Sequence, residues 1–284
     1  MQHVLVMTAP RSRGVADMEV MLVASKLELT PHRLGRHGVE FSCDTRLPEV
    51  PVIEGVDFNQ VPAANRRKRL LIADMDSTMI PVECIDQMAD FAGVGAQVAE
   101  ITRRAMRGEL DFIASMTERV ALVAGLAESA LQEVYDQRIA LNPGGRALVR
   151  TMAAHGAQTA LVSGGFTFFT ERVAAAAGFA EHRANTLEIA EGRLTGKVLP
   201  PVLGRDAKVE ALDQLCERHG ITRDDTVTVG DGANDIGMLR AAGLGVGHHP
   251  KPAVAQIADA VMEHSDLDAL LFLQGYSEAE FVTD

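Results

Sequence analysis

The sequence predicts a doubly wound α/β sheet that carries a helical insert and follows a small α+β unit. Three observations predict it. From Arg69 onward, short and nearly continuous apolar runs alternate with helical segments, the pattern of parallel strands covered on both faces. Between the first such run and the next, about 65 residues read as wholly helical, too many for a structureless loop. Residues 1–66 have another texture, ending in scattered prolines and a basic joint, Asn65-Arg-Arg-Lys-Arg69, as domain boundaries do.

Taken in chain order, His3–Thr8 is a β-type run and Val15–Leu27 has helical periodicity. Short polar-interrupted pieces at Arg33–Arg36 and Val39–Cys43 predict a hairpin, and Pro48, Pro51 and Pro62 punctuate the stretch between it and the basic joint. The parallel strands are expected at Leu70–Ala73, Gln158–Val162, Thr226–Val229, Gly243–Val246 and Ala258–Met262. Helices are expected at Gly145–Ala154, Thr167–Ala177, Ala207–Arg218 and Asp235–Ala242. Inside the insert, at about 80–142, the periodicity gives Ile85–Ala92, Gln97–Met106, Phe112–Val123 and Glu128–Ile139. Asn142-Pro-Gly-Gly145 is the turn back to the sheet. The expected division is therefore 1–66 and 67–284, which suits a 284-residue chain at roughly 100–200 residues per domain.

Composition narrows the function. Hydrophobic residues make up 47% and charged residues 23%, the balance of a globular protein. The net charge of −12 argues against nonspecific binding to nucleic acid or an anionic membrane. The absence of Trp argues against an aromatic platform for single-stranded nucleic acid. An anionic small molecule remains compatible, because a metal and a few local cations reverse the sign inside one cleft. Cys43, Cys84 and Cys216 form no Cys-x-x-Cys pair, so zinc ribbons and redox dithiols are not expected and a reducing compartment is. The N-terminus has too short an apolar stretch for a signal peptide and no run has the ~18 apolar residues of a membrane span, so the expected location is the cytoplasm.

Three polar clusters fall just past apolar strands, where open α/β sheets bind ligands. Asp74-Met-Asp-Ser-Thr78 follows the first strand, and carboxylates at i and i+2 of an extended segment project the same way. Alone, it would serve equally as a solvated turn or helix N-cap. Ser163-Gly164-Gly165 follows the second strand and opens a helix, offering N–H groups to an anion, or simply a tight turn. Gly230-Asp-Gly-Ala-Asn-Asp235 follows the third, but lacks the spacing of a calcium loop. No Gly-x-Gly-x-x-Gly follows the first strand, so a dinucleotide site is not indicated. Together the clusters reinforce one another. Carboxylates gathered at one sheet edge need a hard cation, which oxygen ligands favour as Mg²⁺. A cation beside anion-binding N–H groups is what phosphoryl transfer requires. Lys208, in the first turn of its predicted helix, adds a positive charge.

With these residues assembled, the chain resembles the haloacid-dehalogenase-like phosphohydrolases. LLIADMDST, LVSGG, Lys208 and VGDGAND match their four motifs in order and spacing, and the insert lies where that family keeps a helical cap. DMDSTMIPVECID, ITRRAMRGELDF, SMTERVALV, GRLTGKV and VGDGANDIGML resemble most the phosphoserine phosphatase group, over about residues 69–275. The resemblance implies a Rossmann-like core and Mg²⁺-dependent hydrolysis of O-phospho-L-serine, the last step of serine biosynthesis, through an aspartyl-phosphate. It implies Asp74 as nucleophile and Asp76 as general acid, then base. Asp74, Asp231 and the backbone carbonyl of Asp76 would hold the metal. Ser163, the Gly164 amide and Lys208 would bind the phosphoryl group, with Asn234 beside it and Asp235 buttressing the metal loop. Glu83 would meet the substrate ammonium and Arg119 its carboxylate, although on residue chemistry alone these two read as a surface ion pair. The strand–helix–hairpin order of residues 1–66 is similar to a truncated ACT-type domain whose second helix is missing, with a structural or homodimer-forming role as an equal reading. A phosphatase for another small phosphomonoester, or a noncatalytic serine or phosphate sensor, are the competing functions.

Overall fold

The computed structural model describes residues 2–204 and 206–283. Its first unit comprises β1 (His3–Thr8), α1 (Asp17–Leu27), β2 (Pro31–Gly35), β3 (Gly38–Cys43) and β4 (Asp57–Pro62), with strands ordered β2-β3-β1-β4. All three pairings are antiparallel, and the expected hairpin is β2–β3. Alternation assigns the faces. Leu5 and Met7 of β1 pack with Val20 and Val23 of α1, while Val4 and Val6 join the core of the following unit. The sheet is thus covered on both sides. No helix lies between β3 and β4. β4 was not expected, because DFNQVP has few apolar residues, and its buried Asp57 and Asn59 serve a partner outside its own sheet.

The second unit begins with β5 (Leu70–Ala73), four fully buried residues. The insert supplies α2 (Cys84–Phe91), α3 (Gly95–Met106), α4 (Phe112–Leu122) and α5 (Glu128–Arg138). After α6 (Gly145–Ala154) come β6 (Gln158–Phe166), α7 (Thr167–Ala177), β7 (Glu181–Ala190) and β8 (Arg193–Leu199). Then follow α8 (Ala207–His219), β9 (Thr226–Gly230), α9 (Ile236–Ala241), β10 (Leu244–His248), α10 (Pro252–Ala255), β11 (Ala260–Met262) and α11 (Ala269–Leu273). The strands are ordered β11-β10-β9-β5-β6-β7-β8, parallel except for β7–β8. The β7–β8 hairpin escaped the sequence reading, since its polar-interrupted pattern lacks the continuous apolar run of the central strands. Among the described residues no helix is long and apolar enough to cross a membrane.

β5 lies between β6 and β9, so the clusters that follow these three strands share one edge. One expectation needs correcting. Ser163-Gly164-Gly165 does not open a helix; it lies within β6, where the pairing with β7 is interrupted between Val162 and Phe166, and α7 starts only at Thr167.

The two units are joined through polar side chains acting as backbone. The Asn59 amide donates to the Val261 carbonyl at 2.8 Å and accepts from its N–H at 2.8 Å, so it caps the β11 edge as a further strand would. The Asp57 carboxylate accepts from the N–H groups of Glu263, His264 and Ser265 at 3.1, 3.1 and 2.8 Å.

Candidate active site

Asp74 stands at the end of β5, buried. Its Oδ1 accepts from Met75 N–H at 2.7 Å, and its Oδ2 meets Lys208 Nζ at 2.7 Å and the Asn234 amide at 3.2 Å. After it the backbone kinks, with Asp76 extended and Ser77 left-handed (φ 57°), and the turn is closed by Ile80 N–H donating to the Met75 carbonyl at 3.0 Å. There Asp76 Oδ1 accepts from Cys84 N–H at 2.9 Å, and Oδ2 lies 3.4 Å from Ser163 Oγ. Burial, then the charge of nearby Glu83, pushes the Asp76 carboxyl up to about 7. It is therefore placed to exist in both protonation states near neutral pH, as a group that first gives and then takes a proton must.

The glycines after Ser163 are set by space. A Cβ at Gly165 would come within 2.6 Å of Asp76 Oδ2, and one at Gly164 within 2.6 Å of the Phe112 ring of α4. A side chain at either position would have to displace the acid or the insert ring.

On the other side, Lys208 enters from α8 with Nζ between Asp74 and Asp235. Burial alone would lower the lysine, but the two carboxylates outweigh it and hold it above its ordinary value. Asp235 also accepts from the N–H groups of Asp231 and Gly232 at 3.1 and 3.0 Å, which fixes the loop after β9. Burial, then repulsion from Asp74, raises the Asp235 carboxyl to about 7 against the opposing pull of Lys208. Asp231 pairs with Lys251 Nζ at 2.9 Å.

Asp74, Asp231 and Asp235 each present an oxygen within 4.8 Å of the others. Asp76 is outside this carboxylate cluster, since its side chain turns to Cys84 and Ser163, leaving only its backbone carbonyl for any metal role. The donor set is all oxygen, which suits a hard cation. Asp74, Asp76, Glu83, Asp86 and Asp231 line the cleft against two cations, Lys251 and Arg119, with the buried Lys208–Asp235 pair behind them. That excess of acid calls for a cation of higher charge.

The cleft has a volume of about 740 Å³ and runs from this edge to the insert. Glu83, at the start of α2, accepts from Ser77 Oγ at 2.7 Å and is raised by burial first, then by Asp74 and Asp231. Arg119 projects from α4 into the same cleft and donates to the Ser115 carbonyl at 3.3 Å. Thr102, Ala105, Met106, Leu110, Phe112 and Met116 form much of the remaining insert wall, with Ile85, Asp86 and Ser115. A second, water-sized cavity of about 10 Å³ lies among Ser163, Gly164, Gly204, Lys208 and Asn234, where these groups converge.

All sequence-predicted site residues thus come together at one end of the sheet. Sequence reasoning missed Lys251 and Phe112. Lys251 follows β10, another strand end at the same edge, and that position was the available signal. Phe112 gave none, being one apolar residue at the start of an insert helix.

Residues 71–240 match the family model described as haloacid dehalogenase-like hydrolase. A phosphoserine phosphatase of Mycobacterium tuberculosis is 40% identical over 270 residues, covering 94% of this chain and 64% of that protein. One from Idiomarina loihiensis is 46% identical over 202 residues, covering 71% of this chain and 91% of the other. The chain therefore spans just under two thirds of the mycobacterial relative. Among solved structures, a phosphoserine phosphatase holding a phospho-aspartyl intermediate analogue aligns with a TM-score of 0.68 at 37% identity, over 72% of this chain and 98% of that one. A probable phosphoserine phosphatase of Vibrio cholerae aligns with a TM-score of 0.79 at 30% identity, over 98% of this chain and 88% of that one.

Proposed function

The chain belongs to the haloacid dehalogenase-like hydrolase family, and from that premise we propose that it hydrolyses O-phospho-L-serine to L-serine and phosphate through an aspartyl-phosphate with Mg²⁺ as cofactor. The observation that carries this reading is the convergence of Asp74, Asp76, Ser163 and Lys208, from three separate segments, at one edge of the sheet.

In the first step an Asp74 carboxylate oxygen attacks phosphorus, the bond to the serine oxygen breaks, and Asp76 gives its proton to that oxygen. In the second, water attacks the phosphoaspartate, Asp76 takes the proton, and Asp74 is freed with release of phosphate. Met75 N–H and the Asn234 amide hold the Asp74 carboxylate in one orientation. Ser163 Oγ, Gly164 N–H and Lys208 Nζ bind the phosphoryl oxygens, replacing water with fixed dipoles and charge. When bound by Asp74, Asp231 and the Asp76 carbonyl, Mg²⁺ supplies charge neutralisation between the nucleophile and a dianionic phosphate. Glu83 takes the substrate ammonium and Arg119 its carboxylate, so selection of an amino acid is assigned to the insert.

In this reading residues 67–284 are the catalytic domain, with a cap at about 80–142 that excludes water on closing. Residues 1–66 are a degenerate ACT-like unit with a structural or homodimer-forming role, supported by the strand order β2-β3-β1-β4 and the missing second helix. The setting is serine biosynthesis in the cytoplasm.

A phosphate-release assay over a panel of phosphomonoesters, with Mg²⁺ and with EDTA, tests the proposal. Metal-dependent release with O-phosphoserine preferred is the expected result; no release from any substrate sinks it. A second reading, another small phosphomonoester, is favoured by the size of the cleft, about 740 Å³ with an apolar wall at Met106 and Leu110. The same panel decides between them.

A further inference from the structure

Asn185 is fully buried on β7, and no step of the proposed reaction uses it. Its Nδ2 donates to the Gly164 carbonyl at 2.9 Å, and its Oδ1 accepts from Leu203 N–H at 2.7 Å. The same Nδ2 lies 3.5 Å from the Met116 sulfur on α4. One side chain therefore touches the strand that carries Ser163, the segment leading into the helix of Lys208, and the insert.

The bond to Gly164 has a chemical consequence. The Gly164 carbonyl and the Gly165 N–H belong to one peptide plane, so fixing the first aims the second. Gly165 N–H donates to Ser163 Oγ at 2.8 Å. A hydroxyl that accepts one strong bond directs its own O–H elsewhere. Here Asp76 lies 3.4 Å away, and the small cavity where a phosphoryl oxygen would sit adjoins the same hydroxyl. Both glycines leave this plane without side chains to hold it, and the sheet pairing is interrupted just here, so no ladder partner fixes the backbone.

We propose that Asn185 is a positioning residue for the phosphoryl cradle: it locks the Gly164–Gly165 peptide, and through it the Ser163 hydroxyl, in register with the approach of Lys208. This rests on the proposed phosphatase activity.

The test compares Asn185→Asp and Asn185→Ala with wild type in Mg²⁺, following kcat and KM for O-phosphoserine and calorimetric binding of inorganic phosphate. Asn185→Asp keeps the shape and the acceptor for Leu203 but loses the donor to Gly164. We expect kcat/KM to fall about 10²-fold, as misplacement of a reacting group does, carried mainly by kcat, with phosphate binding weakened in parallel. Protonation of the introduced carboxyl restores a donor, so the ratio of variant to wild-type kcat should climb as pH falls. A purely structural role would lower melting temperature without that split. Folded variants with wild-type kcat and phosphate affinity overturn the inference while leaving the phosphatase reading intact. A wild-type protein that releases no phosphate overturns the reading itself. Should neither variant fold, NMR of the wild type decides. The Asn185 side-chain amide resonances should shift when beryllofluoride and Mg²⁺ are added, and unchanged resonances refute the proposal.

Discussion

Lys208 Nζ lies 2.7 Å from Oδ2 of Asp74, with both side chains about 95% removed from solvent. The same nitrogen also meets Asp235. Removing one partner of such a cluster leaves carboxylates buried without a counter-charge, which costs about 3–5 kcal/mol. Lys208→Met should therefore lower the urea-unfolding free energy by roughly that amount and abolish turnover. Unfolding curves for the variant that overlay the wild type would show that the lysine does not neutralise the cluster.

Asp74→Asn keeps the volume and the contact with Met75 N–H but is no nucleophile. The expected outcome is a folded protein without turnover and without phosphate trapped on the chain after acid quench. Retained activity would move the nucleophile to another residue.

Arg119 contributes differently, because it faces the cleft from the insert and hydrogen-bonds within its own helix, to the Ser115 carbonyl. A charged hydrogen bond to a substrate carboxylate is worth ~1.5–3 kcal/mol, about 10–150-fold. Arg119→Ala should lower kcat/KM for O-phosphoserine by that factor and leave hydrolysis of p-nitrophenyl phosphate within about threefold of wild type. Equal losses on both substrates would remove Arg119 from substrate selection.

The central sheet was legible in the sequence because Leu70–Ala73 and Thr226–Gly230 are buried on both faces and carry no charged residue. The site was legible for a related reason: each polar cluster interrupts such a run abruptly. What remained hidden depends on pairing across long separations. β4 reads as polar because Asp57 and Asn59 bond to the backbone at residues 261–265, some 200 positions away in sequence. Ser163-Gly164-Gly165 reads as a helix start, since nothing local reveals that Asn185 holds Gly164 in the strand. The anchoring partners were invisible even where the reacting residues were plain.

His248 gives the last prediction. It ends β10, fully buried against His249, and no hydrogen bond of normal geometry reaches either ring nitrogen among the described residues. Burial first, and His249 second, lower its pKa to about 3, with the Ser265 backbone a weaker opposing influence. In the unfolded chain the ring titrates near ~6.5. Between those two values the unfolded state binds more protons than the folded one, so stability rises with pH across that window. The contribution is complete above the unfolded value and is lost as pH falls toward 3. Each unit of displacement is worth ~1.4 kcal/mol, so the loss by pH 4.5 is on the order of 2–3 kcal/mol. His248→Leu removes the titrating ring. Its unfolding free energy should therefore decline less than that of the wild type between pH 7 and pH 4.5, by about that difference. Parallel declines in urea titrations of the two proteins would show that His248 takes up no proton on unfolding, and that the acid sensitivity of the fold arises elsewhere.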